Sequence, residues 1–255
     1  MSVKILRLGV TSILMLVILL MLTACSEDPL IEALKERDTQ TIRDLIDQGN
    51  PLNVYNRAGD SALAIAIREG QLEVAEMLLN KKLDEGKLDV NTLGVMGVRP
   101  LMLAVSSGNA DIVQALIDKG APIDEKDNSG NRALMVLPAT DQPAVIQTLL
   151  DNGADVNAGN HLGLNSLMVA AYMGHEQIAA LLLENGASVN ATTSSGQTAL
   201  MRAAHQGKTG MIQLLLNAGA DINLRDEEDE SALVYALRKK QNAVADQLRE
   251  AGATD

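Results

Sequence analysis

Gly196-Gln197-Thr198-Ala199-Leu200-Met201-Arg202-Ala203-Ala204, followed shortly by Leu214-Leu215-Leu216-Asn217-Ala218-Gly219-Ala220-Asp221-Ile222-Asn223, decides the fold. Thr198 stands where its hydroxyl can accept a hydrogen bond from an early backbone N–H and so begin a helix. Ala203-Ala204 keeps one face of that helix thin, so a neighbouring helix can come close. Gly207 and Gly219 are residues able to end helices in the left-handed conformation that other side chains resist. Asn223 suits the turn into whatever comes next.

Outward from this stretch the same features recur at a fixed interval. Gly120, Gly153, Gly186, Gly219 and Gly252 are spaced by 33 residues, and each is followed by Ala. Leu101, Leu134, Leu167, Leu200 and Leu233 keep the same step, as do Gly97, Gly130, Gly163 and Gly196. Coincident series at one spacing mark a stack of repeated helical units, each burying its apolar face against the next.

The stretch at 196–204 resembles the opening of the first helix in ankyrin repeats, Gly-x-Thr-Pro-Leu-His-x-Ala-Ala. The stretch at 214–223 is similar to the end of the second helix and the turn beyond it. Leu181-Leu182-Leu183-Glu184-Asn185-Gly186-Ala187 and Gly174-His175 repeat the likeness one unit earlier. The resemblance implies an all-α solenoid of helix–turn–helix units joined by hairpin-like loops, and it extends over residues 30–255. An N-terminal cap, a half-repeat, is expected over 30–52, with six repeats near 53–90, 91–123, 124–156, 157–189, 190–222 and 223–255. Asn53, Asn91, Asp124, Asn157, Asn190 and Asn223 stand at the junctions, where a turn is expected.

Composition agrees with closely packed thin helices. There is no Trp and no Phe, and the only aromatics are Tyr55, Tyr172 and Tyr235. Met102, Met135, Met168 and Met201 share one phase and read as packing between repeats rather than a metal stripe.

Two places depart from the pattern. The first repeat carries about five extra residues within Lys81 to Leu88, since Asn53 and Asn91 are 38 apart. In the third repeat Pro138 stands where the second alanine of the helix belongs, so that helix should be shortened or bent, and Pro143 should open the next one.

The first 24 residues read as a signal peptide outside the fold. Lys4 and Arg7 precede ten consecutive apolar residues, Ile13 to Leu22, a run too short for a transmembrane helix, which needs about 20. Leu22-Thr23-Ala24-Cys25 resembles the bacterial lipobox, with Cys25, the only cysteine, expected to carry lipid. Ser26 in place of Asp favours an outer-membrane anchor facing the periplasm. Asp28 before Pro29 predicts a helix running to about Lys35, so the tether between lipid and fold is short.

The chemistry of catalysis is missing from the pattern. His161, His175 and His205 fall in separate positions without metal-ligand spacing, and the glycines belong to the repeat turns. No catalytic residue, metal, cofactor or small-molecule substrate is expected. The net charge of −12 makes nucleic acid an improbable partner. The resemblance instead implies a protein partner held by hairpin tips and the exposed face of each first helix. Leu93, Val95, Met96 and Val98 in the second tip are candidates for that surface. So are His161, Leu162 and Leu164 in the fourth tip, with Tyr172, Met173 and His205 on the helices. The run Asp226-Glu227-Glu228-Asp229-Glu230 is either a solvated loop or a steering patch for a basic partner. The expected role is a non-enzymatic, membrane-tethered binder of an envelope protein. Narrower versions are an immunity lipoprotein that plugs a toxic effector, an accessory of a periplasmic catalase or oxidative-stress enzyme, and a passive scaffold.

Overall fold

A computed structural model describes residues 27–81 and 88–254. The segment read as signal peptide and lipobox, Cys25 included, lies outside the described residues, and so does most of the extra segment after Lys81.

Asp28 accepts a hydrogen bond from the Leu30 N–H (2.8 Å) and starts α1, Pro29–Glu36, with Pro29 in its first turn. A left-handed Arg37 ends it, and Asp38 caps α2, Thr39–Asp47. The residues expected to form a half-repeat therefore make a full helix pair that lacks only the preceding tip. Ser61 caps α3, Ala62–Arg68, through the Ala64 N–H (3.2 Å), and α4 is Leu72–Asn80. The second repeat supplies α5, Pro100–Ser107, and α6, Ala110–Asp118. The third supplies only one α-helix, α7, Pro143–Asp151. Then follow α8, Ser166–Met173, and α9, Glu176–Glu184. The last two units give α10, Ala199–Gln206, with α11, Thr209–Asn217, and α12, Ala232–Arg238, with α13, Asn242–Glu250. Among the described residues there is no β-strand, only a single bridge between Tyr55 and Ser61.

The helices form two layers. Leu101, Leu134, Leu167, Leu200 and Leu233 are buried in one column, and so are Met102, Met135, Met168 and Met201. Leu116, Leu149, Leu182, Leu215 and Leu248 form the matching column of the second layer. Ala104, Ala170, Ala203 and Ala236 are also fully buried, so first helices stack more closely than second helices do. Unequal spacing curves the stack, with the first helices on the inner side.

The third repeat departs further than Pro138 alone predicts. Its first helix is a single 3-10 turn, Ala133–Met135. Two residues act together here. Leu137 occupies the phase where its neighbours have Ala, and Pro138 has no N–H to extend a helix. The strand of chain released by this break is used across the repeat boundary. The Pro138 carbonyl accepts from His175 Nε2 (3.0 Å). The Asp141 carboxylate accepts from the backbone N–H of Gln177 (2.8 Å) and Ile178 (2.9 Å), the first turn of α9. Helix α9 has no cap of its own, so the preceding repeat caps it.

The junction asparagines also reach across boundaries rather than only closing their own turns. Asn157 Oδ1 accepts from Ser188 N–H and Asn190 Oδ1 from Asp221 N–H, both at 2.8 Å. Asn223 receives Thr254 N–H (3.0 Å), Asn53 receives Asp89 N–H (2.7 Å), and Asp124 receives Asp155 N–H (3.3 Å). The ladder skips Asn91, because the residue in phase is Pro122, which has no N–H to give. A second ladder joins the tips: Asn128 donates to Met96 O (3.1 Å), Ser194 to Leu162 O (2.8 Å) and Glu227 to Ser195 O (3.0 Å).

Candidate functional site

The second tip is built by two backbone hydrogen bonds, Gly94 N–H to Val98 O (2.9 Å) and Gly97 N–H to Gly94 O (3.0 Å). Gly97 is left-handed and meets the next tip closely, since a Cβ there would lie 2.5 Å from Asn128 Oδ1. This turn pushes Leu93 and Val95 outward, each 56% exposed, and Met96 further still at 68%. Met96 is itself left-handed (φ 61°), a conformation that β-carbon sterics disfavour. Val98, predicted beside them, is half-buried and packs on the core.

The third tip is polar and separates this patch from the next. Asp127 accepts from Ser129 N–H, Asn131 N–H and Asn131 Nδ2, all within 2.9 Å. In the fourth tip Asn160 Oδ1 holds Leu162 N–H (2.9 Å) and Leu164 N–H (3.1 Å). Leu162 projects, 64% exposed, while Leu164 turns inward against the core. His161 is exposed, and its ring lies against Gly130 where a Cβ would stand. The sequence-predicted residues thus form two separate apolar knobs rather than one surface.

Tyr172 and Met173 end α8. Met173 is half-buried on the core, but Tyr172 is 46% exposed and reaches the following repeat. Its ring stacks with His205 at 6.4 Å between centroids, and His205 meets Tyr235 edge-on at 6.1 Å. Arg238 lies 5.0 Å over the Tyr235 ring. These side chains, with Arg202 and Glu228, line a cavity of about 240 Å³ on the inner face.

Tyr235 anchors the cavity wall. Its hydroxyl donates to Asp226 Oδ2 (2.6 Å) and accepts from Gln197 Nε2 (2.8 Å). Burial, together with the Asp226 charge, pushes its pKa up to about 12. Asp226 is held below the ordinary carboxylate range: burial opposes its charge, but Tyr235 and the N–H groups of Glu230 and Glu228 outweigh that. The acidic run is therefore divided in role. Asp226 is buried structure and Glu230 pairs with Arg238 (2.6 Å), whereas Glu227, Glu228 and Asp229 are exposed.

His205 is disfavoured as a cation by burial and by Lys239, Arg238 and Arg202 nearby. Gln206 Nε2 lies 3.0 Å from Nδ1, and an amide NH₂ can only donate. Nδ1 is then the acceptor and the ring proton sits on Nε2. Arg202 is half-buried, and its Nε is sealed from solvent with no hydrogen-bond partner. Burial also lowers the guanidinium pKa, with Tyr235 and Tyr172 opposing.

Arg202, Tyr235, Arg238 and Gln197 escaped the sequence reading. A signal existed, because Arg202 and Tyr235 share one phase of the 33-residue period, and Tyr172, His205 and Arg238 share another. Among the described residues, no three His, Cys, Asp or Glu side chains gather as a metal site would require.

The sequence model of the family described as Ankyrin repeats (3 copies) matches residues 13–91, 81–160, 101–193 and 167–254. The chain is 38% identical over 102 residues to Ankyrin repeat and SAM domain-containing protein 6 of Rattus norvegicus, covering 40% of this chain and 11% of that protein. It is 36% identical over 80 residues to potassium channel AKT1 of Oryza sativa subsp. indica, covering 31% of this chain and 8% of the channel. The chain therefore spans only a small part of the length of these curated relatives.

Proposed function

Given that this chain belongs to the ankyrin-repeat family, we propose that it is a non-enzymatic protein-binding module, tethered to a bacterial envelope membrane by lipid on Cys25. The observation that carries the binding role is the exposure of Leu93, Val95, Met96, Leu162 and Tyr172 on tips and inner helix face. Exposed apolar side chains of this size lower solubility, and they are what the centre of a protein interface uses. Met96 strengthens the reading, since its left-handed backbone presents the most exposed large apolar side chain among the described residues while its carbonyl joins the next tip.

The lipobox-like Leu22-Thr23-Ala24-Cys25 supports the tether, and Ser26 supports the outer membrane. Lys35 and Arg57 both pair with Glu27, two residues after the cysteine, which is consistent with a short tether. Labelled palmitate entering the wild type but not Cys25→Ser tests the anchor.

Affinity capture from native membranes after brief crosslinking tests the binding surface. One stoichiometric partner is expected, lost when Leu93, Val95, Met96 and Leu162 are changed to Ser. The same proteins recovered with both versions would refute the apolar surface. The partner's nature sorts the narrower roles: a toxic effector means immunity, a catalase means oxidative-stress support, and several loosely held proteins mean a scaffold.

A further inference from the structure

We propose that the cavity between α8, α10 and α12 is a carboxylate-recognition site, with Arg202 as its anchoring cation. The inference rests on the binding role above and gives its chemistry.

The cavity's polar atoms are unequal in kind. Arg202 carries a full charge, and among the described residues its Nε has neither acceptor nor water access. The guanidinium charge is thus uncompensated inside the protein, and an anion in the cavity can partner the side chain that lines it without reaching the sealed Nε. The other cation there, Arg238, is already paired with Glu230 and lies over Tyr235, so it offers little. His205 presents an Nε2–H once Gln206 has taken Nδ1. The Tyr235 hydroxyl is fully used by Asp226 and Gln197. What remains open is a set of donors, Arg202 and His205, flanked by the faces of Tyr172 and Tyr235.

A planar carboxylate matches a guanidinium in shape as well as charge. A volume of about 240 Å³ admits an aspartate or glutamate side chain, a chain terminus, or a small free acid. Glu228 is the one competing acid on the lining; it forms no ion pair with Arg202 and is exposed. A cation as ligand would instead have to sit against Arg202.

The chain's own composition supplies the readout. Without Trp, tyrosine emission is unobscured, and two of the three tyrosines line the cavity. The full-length protein is titrated with N-acetylglutamate α-amide, N-acetylglycine, acetate, and the neutral isostere N-acetylglutamine α-amide. A saturable emission change is expected with the acids, at least about tenfold weaker with the neutral isostere. Preference for the first probe assigns the site to a side chain, for the second to a chain terminus, and equal acetate binding to a free acid. Arg202→Met should abolish the response while the circular-dichroism melt shows that the array persists. Arg202→Lys should restore part of it, and Glu228→Gln should tighten it. An equal response to acid and amide, a response surviving Arg202→Met, weakening by Glu228→Gln, or no saturation with any probe would each overturn the inference. A membrane partner captured equally by wild type and Arg202→Met would exclude a carboxylate borne by that partner, while leaving the proposed binding module standing.

Discussion

Replacing Asp141 by Ala should destabilise the array between repeats rather than within one. Among the described residues its carboxylate is the only side-chain cap on α9, holding the Gln177 and Ile178 N–H groups at 2.8 and 2.9 Å. Gln177 is exposed, so water replaces most of what it loses. The Ile178 amide is partly buried and would be left with poorer solvation. Loss of a capping acceptor typically costs about 1 kcal/mol and at most about 2. For an array of this size that corresponds to a fall of roughly 2–8 °C in Tm. Asp141→Asn keeps an acceptor and should lose less than half as much. The informative comparison is Asn109→Ala, which removes an ordinary cap from α6 inside its own repeat, through Ile112 N–H at 2.9 Å. Both variants should lose similar midpoint stability in urea. Only Asp141→Ala should also lower the m-value, because uncoupled halves unfold over a broader range. Hydrogen exchange should show faster opening at the start of α9. An Asp141→Ala variant with an unchanged midpoint, or an m-value equal to that of Asn109→Ala, would refute a trans-acting cap.

The junction ladder makes a paired prediction: Asn157→Ala should cost about 1 kcal/mol, having lost Ser188 N–H and the Gly186 carbonyl, whereas Asn91→Ala, opposite Pro122, should be nearly neutral in urea unfolding. Met96→Gly should leave stability unchanged or slightly raised, since the left-handed strain goes, yet weaken partner capture; equal capture would remove Met96 from the interface. Tyr235 gives a pH signature. Its folded pKa of about 12 exceeds the unfolded value near 10, so its contribution is complete below about pH 10 and lost as pH rises towards 12. Asp226 runs the other way, its lowered pKa giving stability that vanishes as pH falls through the folded value. Thermal melts of Tyr235→Phe against wild type should show the stability difference shrinking at both extremes, and a pH-independent difference would contradict these assignments.

What could be read in the sequence was whatever the period repeats. Capping by Thr198 and Ser61, left-handed Gly207 and Gly219, and the buried leucine and methionine columns recur at fixed phase, so each instance reinforces the others. Features made by one residue on a partner one repeat away were not legible. Asp141 lies 36 and 37 residues before the amides it caps, and nothing in its neighbourhood marks it as a cap. Exposure was misjudged where an apolar residue flanks a tip. Val98, Leu164 and Met173 lie in the same tips and helix end as Leu93, Leu162 and Tyr172, yet they turn inward. The cavity was hidden for a related reason. Arg202 occupies a position that carries Val169 one repeat earlier and Tyr235 one repeat later, so the variable phase looked like drift.

The broken third repeat stands between the two parts of the surface. The Leu93–Met96 knob lies on one side of it, and Leu162 with the Tyr172–Tyr235 cavity lies on the other, at least two repeat steps away. At about 8–10 Å per packed helix, those steps separate the knobs by roughly 20 Å. A third repeat with a regular first helix would fix that separation through helix stacking alone. Here Leu137 and Pro138 cut the first-layer stack to one 3-10 turn; the second layer still packs through Leu116, Leu149 and Leu182, and Pro138 and Asp141 add three hydrogen bonds to α9 and His175. A single 3-10 turn offers a shorter apolar face than a two-turn helix, so the first layer joins the two halves more softly here than elsewhere in the array. A partner touching both knobs must accommodate that joint, and one confined to the cavity need not.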